Sequence, residues 1–123
     1  MSREIGAVLI VVSALLAGCD EKLADVVNPT PPKIATATVT IQPSARTLAT
    51  AAFVPNPATL SPGGVITWSN TDATTHDMVS DTSLWDSGRI APGEKYEFAF
   101  TSKGSFPYHC SVHPGMVGTV VVQ

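Results

Sequence analysis

Hydrophobic and polar positions divide the chain into three stretches. Ala7 to Leu16 is an almost unbroken apolar run, AVLIVVSALL. A polar, proline-rich stretch follows, ending in Asn28-Pro29-Thr30-Pro31-Pro32-Lys33. From Ile34 the pattern becomes period two: Ile34, Thr36, Thr38 and Thr40 alternate with Ala35, Ala37, Val39 and Ile41. That alternation of β-branched and small residues predicts a strand, closed by Pro43. Residues 44–52 (SARTLATAA) carry no decisive pattern and suit a loop or a short helical turn. Phe53-Val54 opens a segment broken by Pro55 and Pro57.

Two turns are legible from chemistry alone. Ser61-Pro62-Gly63-Gly64 and Ala91-Pro92-Gly93-Glu94 each place proline and then glycine at the turn centre. Proline presets the first central φ, and glycine accepts the positive φ of the second. The first turn leads into Val65-Ile66-Thr67-Trp68-Ser69. The second leads into Lys95 to Phe100, where Tyr96, Phe98 and Phe100 share one face. After Gly104, Ser105 to Cys110 is a further strand, with Pro107 arguing for an edge or irregular position. Met116 to Val122 closes the chain as a strong strand. No segment carries a helical period of useful length. Short strands between turn signals predict an all-β protein, a β-sandwich of seven to eight strands in two sheets.

The apolar run of residues 7–16 is too short to span a bilayer, which takes about 20 residues. It has the length of a signal-peptide core, preceded by Arg3, whose charge Glu4 offsets. Leu16-Ala17-Gly18-Cys19 resembles the lipobox of bacterial lipoproteins. That resemblance implies cleavage before Cys19 and lipidation of its sulfur, tethering the chain to the membrane without a spanning helix. The alternative is an ordinary signal peptide cut nearby. The expected organisation is therefore a signal peptide at 1–18, a lipidated, proline-rich tether at 19–33 and a folded domain at 34–123. The location expected is the outer side of a bacterial cell membrane, facing periplasm or exterior.

Cysteine usage sharpens the picture. With Cys19 lipidated, Cys110 has no partner within the chain, and an unpaired thiol in an exported protein calls for a reason. A Cys19–Cys110 disulfide would tie a signal-peptide boundary to the last strands and build no framework. Metal ligation gives the reason. Cys110, His113 and Met116 are spaced C-x2-H-x2-M, and His76 lies far upstream. One thiolate, two imidazoles and a weak thioether form the ligand set of an electron-transfer copper site. Met78 is a rival thioether. His109, adjacent to Cys110, points to the opposite strand face and is not expected to bind metal. A structural zinc site would use four N/S ligands without methionine. The formal net charge of −3 and the lack of any basic patch argue against a nucleic-acid partner.

These motifs resemble the cupredoxins of the plastocyanin/amicyanin type over about residues 34–123. Trp68-x-Asn70-x-Asp72 before His76, Asp86-Ser87-Gly88 before Ala91-Pro92-Gly93, and the loop from Cys110 to Met116 carry the likeness. The short spacing before Met116 is amicyanin-like. The resemblance implies a Greek-key sandwich with one type 1 copper ion at one end, and His113 at the surface as the way out for electrons. The family usually has asparagine after the first histidine; here it is Asp77. An ionised carboxylate only accepts hydrogen bonds, so Asp77 is expected to latch onto Ser111 or the ligand-loop backbone. The function expected is electron transfer with an unidentified redox protein, by a monomer that transforms no substrate. Copper scavenging or delivery is the second reading. A small redox enzyme is a third, opposed by Met116, because catalytic metals keep an open position.

Overall fold

The computed structural model describes residues 32–123. The expected signal peptide, Cys19 and nearly all of the tether lie outside those residues. No helix among the described residues is long and apolar enough to cross a membrane.

Nine strands form: β1 (Thr36–Ile41), β2 (Phe53–Val54), β3 (Ala58–Leu60), β4 (Gly64–Asn70), β5 (His76–Ser80), β6 (Asp86–Ile90), β7 (Lys95–Phe100), β8 (Gly104–Cys110) and β9 (His113–Val122). One sheet runs β2-β1-β4-β7 and the other β3-β9-β8-β5-β6. This is the all-β sandwich that the alternating pattern predicts. Its count passes the seven to eight expected because β2 and β3 are fragments of two and three residues. The undecided stretch at 44–52 folds as two 3-10 turns, Ala45–Thr47 and Ala49–Ala52.

Period two translates directly into burial. In β1, Val39 and Ile41 are buried while Thr36 and Thr38 are exposed. In β4 every second residue from Gly64 is buried. The two Pro-Gly turns form as their chemistry requires. The Gly64 and Glu94 amides donate to Ser61 and Ala91 carbonyls, and Gly63 and Gly93 both have φ of +83°. The two turns close opposite ends of the antiparallel β4–β7 pair.

Pro107 departs from expectation in an instructive way. β8 is an interior strand, lying between β9 and β5. Its ladder with β5 covers only Tyr108 to Cys110. Beyond the end of β5, the Pro107 carbonyl accepts the Asp81 amide. The missing N–H of proline therefore faces a stretch with no neighbouring strand, a local edge within an interior strand.

The core centres on Trp68, fully buried between the sheets. Its ring lies 4.6 Å from Trp85 and 5.5 Å, edge-on, from Tyr108. Such aromatic pairs add about 0.5–1.5 kcal/mol beyond the area they bury. Tyr108 is paired with Gly118 across β8 and β9. A Cβ at Gly118 would run into the Tyr108 ring and hydroxyl. Gly118→Ala is expected to destabilise the domain by about 1–3 kcal/mol through forced repacking. A urea midpoint unchanged from wild type would show that Tyr108 yields freely.

Candidate metal centre

The centre forms where β5 meets the β8–β9 hairpin. Met78 pairs with Cys110 across β5 and β8. His76, two residues before Met78, lies on the same buried face. A remote histidine is thereby carried to the cysteine by strand register. On the other side, Cys110 pairs with His113 across a two-residue turn made of Ser111 and Val112. That turn coincides with a register shift after His109. Next to Val117, which pairs with His109, Met116 is fully buried on the core side of β9.

Three donor groups converge. The metal-binding atoms available on His76, Cys110 and His113 lie within 4.8 Å of one another. Cys110 Sγ is 3.7 Å from His76 Nδ1 and 3.7 Å from His113 Nδ1. Both imidazoles thus turn the same nitrogen toward the sulfur. Cys110 is a free, buried thiol and His76 is 0% exposed, whereas His113 is partly exposed. Beside it, Val112 is 58% exposed. A soft thiolate with two imidazole nitrogens suits copper, and the donors face one another, so the residues present fit the ion.

The rival and excluded ligands are also placed. Met78 is buried on the core face, with its amide donating to the Ser87 hydroxyl. His109 is directed away from the centre, its Nδ1 hydrogen-bonded to the Asp81 carboxylate. The expected latch between loops exists, but it runs through the backbone: the Ser111 amide donates to the Asp77 carbonyl at 2.8 Å. The Asp77 carboxylate also faces the Ser111 hydroxyl, while its Oδ1 has no hydrogen-bond partner. Burial and the adjacent Asp86 carboxylate push the Asp77 carboxyl above the usual range; the Ser111 hydroxyl and Arg89 oppose that shift only in part.

Asp72 is the functional residue that sequence reasoning passed over, noting it only within a family motif. Its Oδ2 lies 2.8 Å from His76 Nε2 and accepts the Thr74 hydroxyl at 2.8 Å. Its Oδ1 accepts the amides of Ser44 at 2.9 Å and Ala73 at 2.8 Å. Ser44 holds a left-handed φ of 62°, unusual for a side-chain-bearing residue. Its bond to Asp72 ties the 3-10 segment to the ligand loop. Asn70, also buried, braces that loop from below. Its Nδ2 donates to the Thr74 and Ile90 carbonyls, and its Oδ1 accepts the Asp72 amide. Asn70, Asp72, Thr74 and His76 fall at every second position, a spacing that was there to be read.

Burial alone would raise the Asp72 carboxyl pKa. Its hydrogen bonds to His76, Thr74, Ser44 and Ala73 win and hold it far below the ordinary range. A depressed carboxyl stabilises the fold above its unfolded-chain value, near 3.8, and loses that contribution as pH falls through the folded value. Asp72→Ala is expected to cost about 2–4 kcal/mol by stranding its donors. It should also flatten the acid limb of the metal-free stability curve below about pH 4. Denaturant unfolding at stepped pH measures both, and a variant whose acid limb matches wild type would remove Asp72 from this role.

Comparison with known proteins agrees with this geometry. Residues 39–123 match the family of copper binding proteins, plastocyanin/azurin family. Plastocyanin of Cucumis sativus is 41% identical over 87 residues, covering 58% of this chain and 88% of its own. A novel purple cupredoxin from Nitrosopumilus maritimus superimposes with a TM-score of 0.66 at 29% identity, covering 71% of this chain and 99% of the other. A reduced tryptophan-to-tyrosine variant of amicyanin has a TM-score of 0.61 at 21% identity, covering 77% and 95%, and shares the fold. The chain belongs to the copper-binding plastocyanin/azurin family, a cupredoxin whose His76, Cys110 and His113 form a single candidate site for the copper ion.

Proposed function

We propose that this cupredoxin is a one-electron carrier, tethered by lipid at Cys19 to the outer side of a bacterial cell membrane. One observation carries the reading: a buried thiol and two imidazoles face one another, and of the three residues only His113 is partly exposed. Copper bound there supplies the Cu(I)/Cu(II) couple. The chain's own part would be to hold the ion with the Cys110 thiolate and the His76 and His113 imidazoles, a set of soft and borderline donors, with the Met116 thioether as a weak additional ligand. Donors held on the paired strands β5, β8 and β9 would need little rearrangement between oxidation states, which would favour fast electron exchange. The exposed Val112 beside His113 offers an apolar surface on which a redox partner protein can dry the contact.

Copper scavenging or delivery would use the same ligands and would gain from spare ones. Met78 faces the core, and His109 is bound to Asp81. His109 is thus already engaged, and a single buried Met78 makes no cluster of spare ligands, which supports the carrier reading.

Adding Cu(II) to the lipid-free chain from residue 20 is expected to give an intense visible thiolate-to-copper band and reversible voltammetry. Cys110→Ser should abolish the band. Met116→Leu should retain it and shift the potential upward. Tight Cu(I) binding with no coloured Cu(II) form would instead favour copper delivery. For the anchor, Cys19→Ser is expected to move the protein from the membrane fraction to the soluble fraction of the cell envelope. A membrane-bound variant would exclude lipidation at Cys19.

A further inference from the structure

The Asp72 carboxylate lies at hydrogen-bond distance from the one ring nitrogen of His76 that faces away from Cys110. His76 is 0% exposed and Asp72 7% exposed, so water does not compete for this contact. A carboxylate only accepts hydrogen bonds. The proton between the two therefore belongs to Nε2, and a neutral ring then leaves Nδ1 as a bare lone pair facing the sulfur. The Thr74 hydroxyl donates to the same carboxylate oxygen, and Ser44 and Ala73 amides hold the other one. Asp72 cannot rotate away without losing all four partners.

We infer that Asp72 is a positioning residue that sets the His76 tautomer before metal arrives and makes that imidazole a stronger donor once copper is bound. This rests on the reading of His76 as a copper ligand. The electronic consequence has a definite sign. Donation from Nε2–H to a buried carboxylate gives the ring partial imidazolate character, and outer partners of this kind tune ligand basicity. A stronger donor and a nearby negative charge both favour Cu(II) over Cu(I), so Asp72 lowers the reduction potential. Asparagine at this position discriminates well. It keeps the size and the oxygen facing Ser44 and Ala73, but offers Nε2 an amide that donates. That invites the opposite tautomer, in which Nδ1 carries a proton and cannot bind metal.

The test has two arms on the full chain in detergent micelles. In the first, long-range 1H–15N spectra of the metal-free wild type, with His76 assigned through His76→Gln, are expected to show the Nε2–H tautomer alone. A dominant Nδ1–H form overturns the proposal, and this arm needs no variant of Asp72 to fold. In the second, Asp72→Asn is expected to populate Nδ1–H in the metal-free protein. Once loaded, it should reduce the ratio of Cu(II) to Cu(I) affinity about tenfold, a rise of about 59 mV for a one-electron couple. An unchanged potential overturns the electronic half even where the tautomer is as expected. A wild type that binds copper yet exchanges no electrons with an electrode sinks the carrier reading and leaves the tautomer result standing.

Discussion

The centre depends above all on the register between β5 and β8. Pairing of Met78 with Cys110 is a backbone fact, made by main-chain hydrogen bonds and enforced by the burial of alternate residues on both strands. It places His76, 34 positions away from Cys110 in the chain, with Nδ1 3.7 Å from the cysteine sulfur. A slip of one residue would turn His76 to the outer face and bring Asp77 inward. Such a slip is costly because Met78 and Ser80 are buried on the same face as His76, and it would expose them together. The apolar pattern that makes the sandwich is thus also what aligns the donors.

Register delivers His76 to the site but does not orient it. Orientation comes from the loop before β5, which contains no regular structure and is held by side chains. Asn70 and Asp72 take over the work of a missing strand. Between them they bind the backbone of Ser44, Ala73, Thr74 and Ile90 and the ring of His76. Both are buried polar groups, which cost stability wherever partners are lacking. Here every side-chain oxygen of the pair accepts a bond from within the domain. The contrast with Asp77 is instructive. One residue past His76, its carboxylate lies on the outer face against Asp86, and its part in joining the ligand loops is played by its carbonyl.

The sequence disclosed the parts of this molecule that follow from short-range rules. Alternation in Thr36–Ile41 and Lys95–Phe100, and the two Pro-Gly turns, depend on residues within a few positions of one another. The approach of Cys110 to His113 was legible for the same reason, since the two-residue hairpin turn between them sets their spacing. Three features were not read. Residues 44–52 are tied down in part by Ser44 bonding to Asp72, 28 positions away. Pro107 was expected at an edge or in an irregular stretch; only the length of β5 reveals that an interior strand can have a local edge. The partner of His76 required knowing that a non-repetitive loop folds back on itself.

A buried carboxylate against a buried imidazole is normally a poor way to stabilise a small domain, because desolvation offsets most of the attraction. Apolar residues of the same size would pack the loop at less cost. The pair makes physical sense if its value lies in direction and not in strength. An imidazole in an apolar pocket can turn about its bonds and exchange tautomers at small cost, and either change would aim a proton at the sulfur. Four hydrogen bonds on one carboxylate remove that freedom before any metal is present. The partly exposed partner, His113, has no comparable brace on its ring among the described residues, so the two histidines divide the task. One is held inside the fold, and the other lies partly exposed at the edge of the site.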